Sequence, residues 1–148
     1  MTKYIDTIYD SKLRPLTSYP DKLAQYLFNR FEMKKGDKLL DLGCGRGDFS
    51  KAFANQGLAA EGADIEQTKS EIISGINVKH FDLEKINYPY PDNYFDVIFS
   101  KSVFEHIDDP TVFLNEQKRI LKPGGRIIIL TPDWESQIKI FWNDYTHK

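Results

Sequence analysis

Short apolar segments alternate with amphipathic ones along most of the chain, and this alternation predicts strands separated by helices. Five runs are predicted to be strands, at 38–42, 58–65, 76–83, 94–101 and 126–132. Segments between or before them are predicted to be helices, at 21–33, 47–56, 66–74 and 110–121. Three of the strands, the first, fourth and fifth, are almost wholly apolar, as strands covered on both faces are. The pattern therefore predicts an α/β fold with a mainly parallel sheet and right-handed crossovers.

Polar residues mark the carboxyl ends of these strands, which is where open parallel sheets bind their ligands. They are Asp41, Asp64, Asp82, Ser100 and Thr131. A glycine loop, GCGRG at 43–47, follows the first strand. Glycine at such a turn permits unusual φ angles and lets a ligand approach backbone N–H groups. Asp64 lies about 20 residues after the loop begins, where an acid that binds ribose hydroxyls is expected.

The charges around the loop distinguish two ligand classes that share this arrangement. In the dinucleotide-binding pattern a third glycine is expected where Asp48 stands, and Asp41 adds a second negative charge. Both acids would repel a pyrophosphate in a partly dry cleft, whereas they would attract a cationic nucleoside that has no phosphate. Arg46 could act in either direction. The residues therefore favour a cationic nucleoside, with a dinucleotide as the alternative.

Five segments, in order, resemble the motifs of the class I S-adenosylmethionine-dependent methyltransferases. They are LLDLGCGRGDFS, GADIE, HFDLEKINYP, FDVIFSKSVFEHIDDP and RILKPGGRIIILTP, within residues 37–132. The resemblance implies a Rossmann-like three-layer sandwich with strand order 3-2-1-4-5. It also implies S-adenosyl-L-methionine as the cofactor and S-adenosyl-L-homocysteine as the product formed from it.

The resemblance assigns roles to side chains at the strand ends. Asp41 would face the methionine ammonium through water, and Asp64 would bind the ribose hydroxyls. Asp82 would accept a hydrogen bond from the adenine amino group; the alternative is that it only caps a turn. Ile65 would pack on one face of adenine, with Leu83 beside the ring. These residues form the side-chain part of the predicted cofactor site.

Backbone groups are expected to complete that site. Gly43 and Gly45 would bring the main chain against the methionyl and ribose parts of the cofactor. Ser100 and Lys101 end the fourth strand beneath the sulfonium, where their carbonyls would matter more than the lysine charge. Cys44 lies within the loop and belongs to the predicted set, although it is most simply a small packing residue.

His106 is the candidate catalytic residue, because it follows the fourth strand close to where an acceptor would enter. A base is needed only if the acceptor must lose a proton. The alternative is a histidine that packs or hydrogen bonds locally at a helix start. His80 is predicted to be structural, and His147, near the chain end, is assigned no role. No metal site is predicted.

Composition narrows the class of protein further. The chain has 148 residues and a formal net charge of −2, so it lacks the excess of basic residues that is typical of proteins binding nucleic acid in bulk. No apolar run approaches the length of a membrane span, and the N-terminus does not resemble a secretory signal. The single cysteine excludes an internal disulfide and fits a reducing compartment. We expect a cytoplasmic protein with a small-molecule acceptor and no membrane partner.

The chain is predicted to be one domain over 1–148, with an N-terminal arm at 1–19, a cofactor-binding core at 20–132 and a C-terminal segment at 133–148. The fold that it resembles continues past the fifth strand with a further helix and two strands. We therefore expect a truncated or naturally shortened member that lacks the last two strands. An exposed fifth-strand edge, or the aromatic C-terminal segment, could then join copies into a homo-oligomer.

Three functions follow from these observations. The leading one is S-adenosylmethionine-dependent methyl transfer to a small-molecule or sugar-like acceptor. The second is a cofactor-binding module without turnover, either truncated or used for interaction. The third is an NAD(P)-binding oxidoreductase, which Asp41 and Asp48 disfavour.

Overall fold

A computed structural model of the protein describes residues 15–65 and 75–132. The helices in these ranges are α1 (Tyr19–Arg30), α2 (Asp48–Asn55) and α3 (Pro110–Ile120), and one turn of 3₁₀ helix spans Phe104–His106. The strands are β1 (Lys38–Leu42), β2 (Ala59–Asp64), β3 (Val78–His80), β4 (Phe95–Lys101) and β5 (Leu121–Leu130). Strands and helices alternate as the hydrophobic pattern predicts.

The described strands form one parallel sheet in the order β3-β2-β1-β4-β5. This order confirms the predicted topology. The chain moves outward from β1 through β2 and β3 in one direction, and through β4 and β5 in the other. A crevice therefore forms at the carboxyl ends of β1 and β4, where the strand order reverses. Asp41 pairs in register with Gly62 of β2 and with Phe99 of β4.

Alternate residues of the central strands enter two separate cores, one on each face of the sheet. Leu39 and Phe99 pack with α1 and α2 in the first core. Leu40 and Ile98 pack with α3 and with the segment between β3 and β4 in the second. Because both faces are covered, the predicted three-layer arrangement is confirmed. Asp41 follows Leu39 on the first face, so its carboxyl group points towards α2.

The ends of α1 differ from the predicted 21–33. The helix begins at Tyr19 because Pro20 fits the first turn, where a backbone N–H has no partner within the helix. It ends at Arg30, since Glu32 adopts a left-handed φ of 50° that breaks the helical path. Tyr19, which is predicted from the sequence to belong to the N-terminal arm, is therefore the first residue of the helix.

The predicted break at KPGG lies within β5 rather than before it. Leu121 already pairs with β4, residues 122–125 bulge out of the ladder, and regular pairing resumes at Arg126. Gly124 allows this bulge with a φ of 79°. The Lys122 ammonium anchors the bulge to β4 through an ion pair with Asp96 at 2.8 Å.

Several predictions concern residues outside the described ranges. They are the first part of the N-terminal arm, the helix at 66–74, the C-terminal segment 133–148 with its aromatic residues, and His147. Among the described strands β5 lies at one edge of the sheet, and association through that edge stays a prediction. No helix in the described parts of the chain combines the length and apolar character needed to span a membrane.

Candidate active site

A cavity of about 490 Å³ opens at the carboxyl ends of β1 and β4. Its wall combines the glycine loop after β1, the first turn of α2, the end of β4 and the segment that leads into α1. Four of the residues predicted for the cofactor site line it: Asp41, Gly43, Cys44 and Lys101. The topology thus brings the methionine side of the predicted site together in one crevice.

Asp41 is an almost fully buried acid in this cavity, with 2% of its surface exposed. Its Oδ2 accepts a hydrogen bond from the Ser50 hydroxyl of α2 at 2.7 Å. Burial raises the pKa of the carboxyl from 3.8 to about 7; hydrogen bonds from Ser50 oppose the rise, and the charges of Asp64 and Asp48 add to it. A cation beside Asp41 would favour its ionised form.

Asp64 holds the glycine loop in place at the end of β2. Its Oδ2 accepts the Gly45 N–H at 2.8 Å, and its Oδ1 accepts the Ile65 N–H at 2.8 Å. The carbonyl of Ala63 accepts a further loop N–H, from Gly43, at 2.7 Å. Each Asp64 oxygen keeps a lone pair for another donor, such as the hydroxyls of a vicinal diol.

Small residues are required where the loop meets its neighbours. Gly43 has a φ of 70°, and a side chain there would collide with Val103. A Cβ on Gly62 of β2 would lie 2.5 Å from the Sγ of Cys44, so this glycine makes room for the cysteine. Burial raises the pKa of the Cys44 thiol, which is therefore neutral. The position of Cys44 agrees with its interpretation as a small packing residue.

The segment between β3 and β4 carries Asp82 and Leu83. The carboxyl group of Asp82 accepts the Glu84 N–H at 2.9 Å, so this acid does make the turn-capping contact that the sequence leaves open. Leu83 is buried, and its carbonyl accepts the Tyr88 hydroxyl at 2.5 Å. Glu84 accepts the Asp108 N–H at 2.5 Å, which ties the segment to the loop after β4.

An ion pair on α3 fixes the same segment from the other side. Glu116 accepts the Arg119 guanidinium at 2.7 Å and the Tyr88 N–H at 2.7 Å. Arg119 also donates to the carbonyls of Tyr88 and Tyr90, at 3.0 and 2.9 Å. The hydrogen bonds from Arg119 lower the pKa of the Glu116 carboxyl, so the pair stays ionised. The position of Leu83 therefore depends on contacts made by α3.

The methyltransferase domain family matches residues 9–147, which is nearly the whole chain. The chain belongs to the class I S-adenosylmethionine-dependent methyltransferases. The strand order and the glycine loop of the structure agree with this membership.

Named relatives of this methyltransferase include curated proteins and solved structures. Methyltransferase GfsG of Streptomyces halstedii is 30% identical over 128 residues, which cover 80% of this chain and 46% of that protein. The ubiquinone biosynthesis O-methyltransferase of Pseudomonas fluorescens (strain Pf0-1) is 28% identical over 130 residues, or 82% of this chain and 55% of that protein. The crystal structure of a SAM-dependent methyltransferase from Archaeoglobus fulgidus matches with a TM-score of 0.68 and 26% identity, over 96% of this chain and 66% of that one. The chain spans about half the length of these two curated relatives.

The residues of this methyltransferase fit the cofactor that its family uses. Asp41 is a buried carboxyl that a cationic group would stabilise, and Asp64 keeps acceptor oxygens beside the glycine loop. Ile65, next in the chain, is 56% exposed and offers an apolar surface on which a base could pack. The Ser100 hydroxyl at the end of β4 is buried, and no residue in the described ranges accepts or donates a hydrogen bond to it. Ser100 is 1% exposed and is not among the described residues that line the cavity, so its predicted part in the cofactor site stays a prediction.

Two residues predicted for the active site, Lys101 and His106, differ in whether they line the cavity. Lys101 ends β4 and lines the cavity. His106 belongs to the 3₁₀ turn, its side chain is exposed, and it does not contribute to the cavity wall formed by the described residues. The assignment of His106 as a base therefore stays a prediction.

The negative charge of Asp48 has less effect on a ligand in the cavity than the sequence alone predicts. Arg46 donates from Nε to Asp48 at 2.8 Å, and the ion pair largely neutralises the acid. Asp41, with a pKa of about 7, is itself partly protonated at neutral pH. Discrimination against a pyrophosphate therefore depends mainly on Asp64 and on the ionised fraction of Asp41.

Among the residues that line or support the cavity and are absent from the sequence prediction, three matter most for its shape. They are Tyr19 at the start of α1, and Phe49 and Ser50 in the first turn of α2. Ser50 lies on the buried face of α2, and a polar residue on an otherwise apolar face is a signal that could have found it. Tyr19 gives no such signal, because its place depends on how α1 packs against α2.

Proposed function

We propose that the protein transfers the methyl group of S-adenosyl-L-methionine to a small-molecule acceptor bound in the cavity beside the glycine loop. One observation carries this proposal: Asp41 and Asp64 end adjacent parallel strands, the first buried in the cavity and the second with acceptor oxygens beside the loop. Such a pair suits the ammonium and the ribose hydroxyls of one cationic nucleoside. One relative is named a ubiquinone biosynthesis O-methyltransferase, and this name supports a small molecule, and not a macromolecule, as the acceptor.

The other cofactor contacts follow from position along the strand ends. Ile65 would cover one face of adenine, and Leu83 would lie beside the ring. The Asp82 carboxylate accepts one backbone N–H, and its remaining lone pairs would accept a hydrogen bond from the adenine amino group. Ser100 and Lys101 would face the reacting centre from the end of β4.

The cofactor supplies a methyl group already activated on a sulfonium, so the protein mainly positions the reactants and excludes water. The acceptor's lone pair forms the new bond to the methyl carbon as the carbon–sulfur bond breaks, which leaves the bonding electrons on a neutral thioether. A proton on the acceptor, where one is present, leaves to solvent or to a base. The lining of the cavity by Gly43 and Phe49 would keep water from the line of attack.

Binding by calorimetry tests the cofactor part of this proposal. We expect S-adenosyl-L-homocysteine to bind the 148-residue chain, and NAD and NADP to bind far more weakly. A nicotinamide dinucleotide that binds in preference to the sulfur nucleoside would overturn the proposal.

A cofactor-binding module without turnover is the second candidate. It is favoured by the position of His106, the one predicted base, whose exposed side chain does not contribute to the cavity wall formed by the described residues. Incubation with methyl-labelled cofactor and a small-molecule extract separates the two. Label in a small molecule supports the transferase, whereas nucleoside binding without transfer supports the module.

A further inference from the structure

This inference rests on the proposed methyl transfer and concerns the outer part of the same cavity, where the acceptor would bind. Tyr19 and Phe49 form an aromatic wall there, with ring centroids 5.9 Å apart and an interplanar angle of 88°. Phe49 also packs against the core, while Tyr19 is 52% exposed. Two rings held edge to face form an apolar corner, in which a planar unsaturated ligand can lie against the face of one ring with its edge towards the other.

The ammonium group of Lys101 lies beside these rings. The Nζ of Lys101 is 5.9 Å from the Tyr19 centroid and 5.7 Å from the Phe49 centroid, and it donates to the Ser102 hydroxyl at 3.4 Å. No acid in residues 15–65 or 75–132 forms an ion pair with it. The other cation of the cavity wall, Arg46, pairs with an acid. Lys101 is therefore the ammonium group available to an anionic ligand.

The described lining of the cavity holds few groups that could take a proton from an acceptor. Asp41 accepts the Ser50 hydroxyl and is assigned to the cofactor ammonium. Asp48 is engaged by Arg46, and burial keeps the Cys44 thiol neutral by raising its pKa. An acceptor oxygen that is already ionised needs no base, and a neighbouring ammonium stabilises that ionised form.

We propose that the acceptor is a small planar molecule that carries an ionised oxygen, which pairs with Lys101 while the ring lies against Tyr19 and Phe49. The backbone after Lys101 supports this placement. Ser102 has a left-handed φ of 57°, uncommon for serine, and its N–H donates to the Leu130 carbonyl at 2.8 Å. The chain turns there, and both Lys101 and Ser102 line the cavity. A phenol-type oxygen and a ring carboxylate share this chemistry.

The probe for a phenol-type oxygen is 4-nitrophenol, whose ionised form absorbs visible light, and 4-nitroanisole is its uncharged counterpart. Benzoate and benzamide form the matching pair for a carboxylate. All four are titrated into the full chain at saturating S-adenosyl-L-homocysteine, whose own binding is measured first. We expect bound 4-nitrophenol to ionise about one pH unit lower than the free compound. We expect the preferred anion to bind about fivefold more tightly than its neutral counterpart.

Substitutions then assign the effect to individual side chains. Lys101→Met should abolish the preference for the anion, and Lys101→Arg should retain it. Lys118→Met, which removes an exposed lysine of α3, should leave the preference unchanged. Tyr19→Ala should weaken charged and neutral rings alike, whereas Tyr26→Ala, at an exposed tyrosine of the same helix, should weaken neither.

The outcomes separate this inference from the function on which it rests. A preference for one anion that depends on Lys101 supports the inference and identifies the oxygen as phenol-type or carboxylate. If neither anion binds better than its neutral counterpart, or if Lys101→Met keeps the preference, the inference is overturned although nucleoside binding still supports methyl transfer. Failure of S-adenosyl-L-homocysteine to bind would overturn the proposed function itself.

Discussion

Replacing Asp41 with asparagine should stabilise the fold at alkaline pH. Burial raises the pKa of this carboxyl from 3.8 to about 7, which is about three units. At about 1.4 kcal/mol per unit, the ionised carboxylate costs the folded state about 4 kcal/mol. Because the pKa of Asp41 is higher in the folded state than in the unfolded one, the fold is most stable while Asp41 is protonated, below about pH 4. This contribution of about 4 kcal/mol to the free energy of unfolding is lost as the pH rises to about 7.

Asparagine keeps the oxygen that accepts the Ser50 hydroxyl but carries no charge. Asp41→Asn should therefore exceed the wild-type chain in unfolding free energy by up to about 4 kcal/mol at about pH 8, and by little at about pH 4. Urea denaturation at the two pH values measures the difference. Asp37→Asn, just before the other end of β1, is the matched control, since within the described residues its side chain accepts the Lys34 N–H and makes no contact with the cavity.

The same carboxyl should make cofactor binding depend on pH. In the proposed complex the ammonium of the nucleoside pairs with ionised Asp41, so below about pH 7 binding would have to displace a proton. The affinity for S-adenosyl-L-homocysteine should then fall by up to about tenfold per pH unit. Calorimetry in two buffers of different ionisation enthalpy counts the protons, and we expect about one released near pH 6 and almost none near pH 8. A wild-type affinity that does not change over this range, or an equal slope in Asp41→Asn, would refute the reasoning.

Three further substitutions test the loop and its supports. Asp64→Ala should weaken S-adenosyl-L-homocysteine binding by about 1–3 kcal/mol in calorimetry, because charge-assisted hydrogen bonds are lost; unchanged affinity would remove Asp64 from the ribose site. Gly43→Ala should destabilise the fold by about 2 kcal/mol or more, since it adds a collision to backbone strain, whereas Gly124→Ala, with open space around it, should show the strain alone, about 1 kcal/mol; equal losses in urea denaturation would contradict this. Tyr88→Phe removes the hydrogen bond to Leu83 and should lower the free energy of unfolding by about 1 kcal/mol; no change would mean that this bond contributes nothing.

The parallel sheet and the strand-end acids could be predicted because they depend on local pattern and one topological rule, whereas the strand order follows from the resemblance to a known family. β1 and β4 are mainly apolar, as strands covered on both faces are, but β5 shares this character and lies at an edge of the described sheet, so the apolar pattern does not fix the position of a strand. The carboxyl ends of such strands share one edge, and Asp41 and Asp64 stand there. The class of fold and the positions of these acids are therefore predictable, while their contacts with a cofactor stay a prediction.

Features set by packing between distant segments could not be predicted. The position of Tyr19 depends on contacts between α1 and α2, which no periodicity within either helix reveals. The pairing of Arg46 with Asp48 is decided by the path of the loop, and the sequence leaves the direction of Arg46 open. The raised pKa of Asp41 requires knowledge of its burial, which a strand pattern indicates for apolar residues but not for an acid at the strand end.

The acids of the site also build the fold, and this dual role limits how they can be studied. Asp64 accepts the Gly45 N–H and so holds the glycine loop in place. Asp41 accepts the Ser50 hydroxyl, which lies in the first turn of α2. Truncation to alanine removes ligand contacts and structural contacts together, so a loss of binding alone would not separate them. At Asp41, where one oxygen accepts the Ser50 hydroxyl, asparagine keeps an accepting oxygen and removes the charge, whereas at Asp64 both oxygens accept backbone N–H groups and asparagine can replace only one of them. The difference between asparagine and alanine at Asp41 therefore measures the structural share, and the difference between aspartate and asparagine measures the electrostatic share.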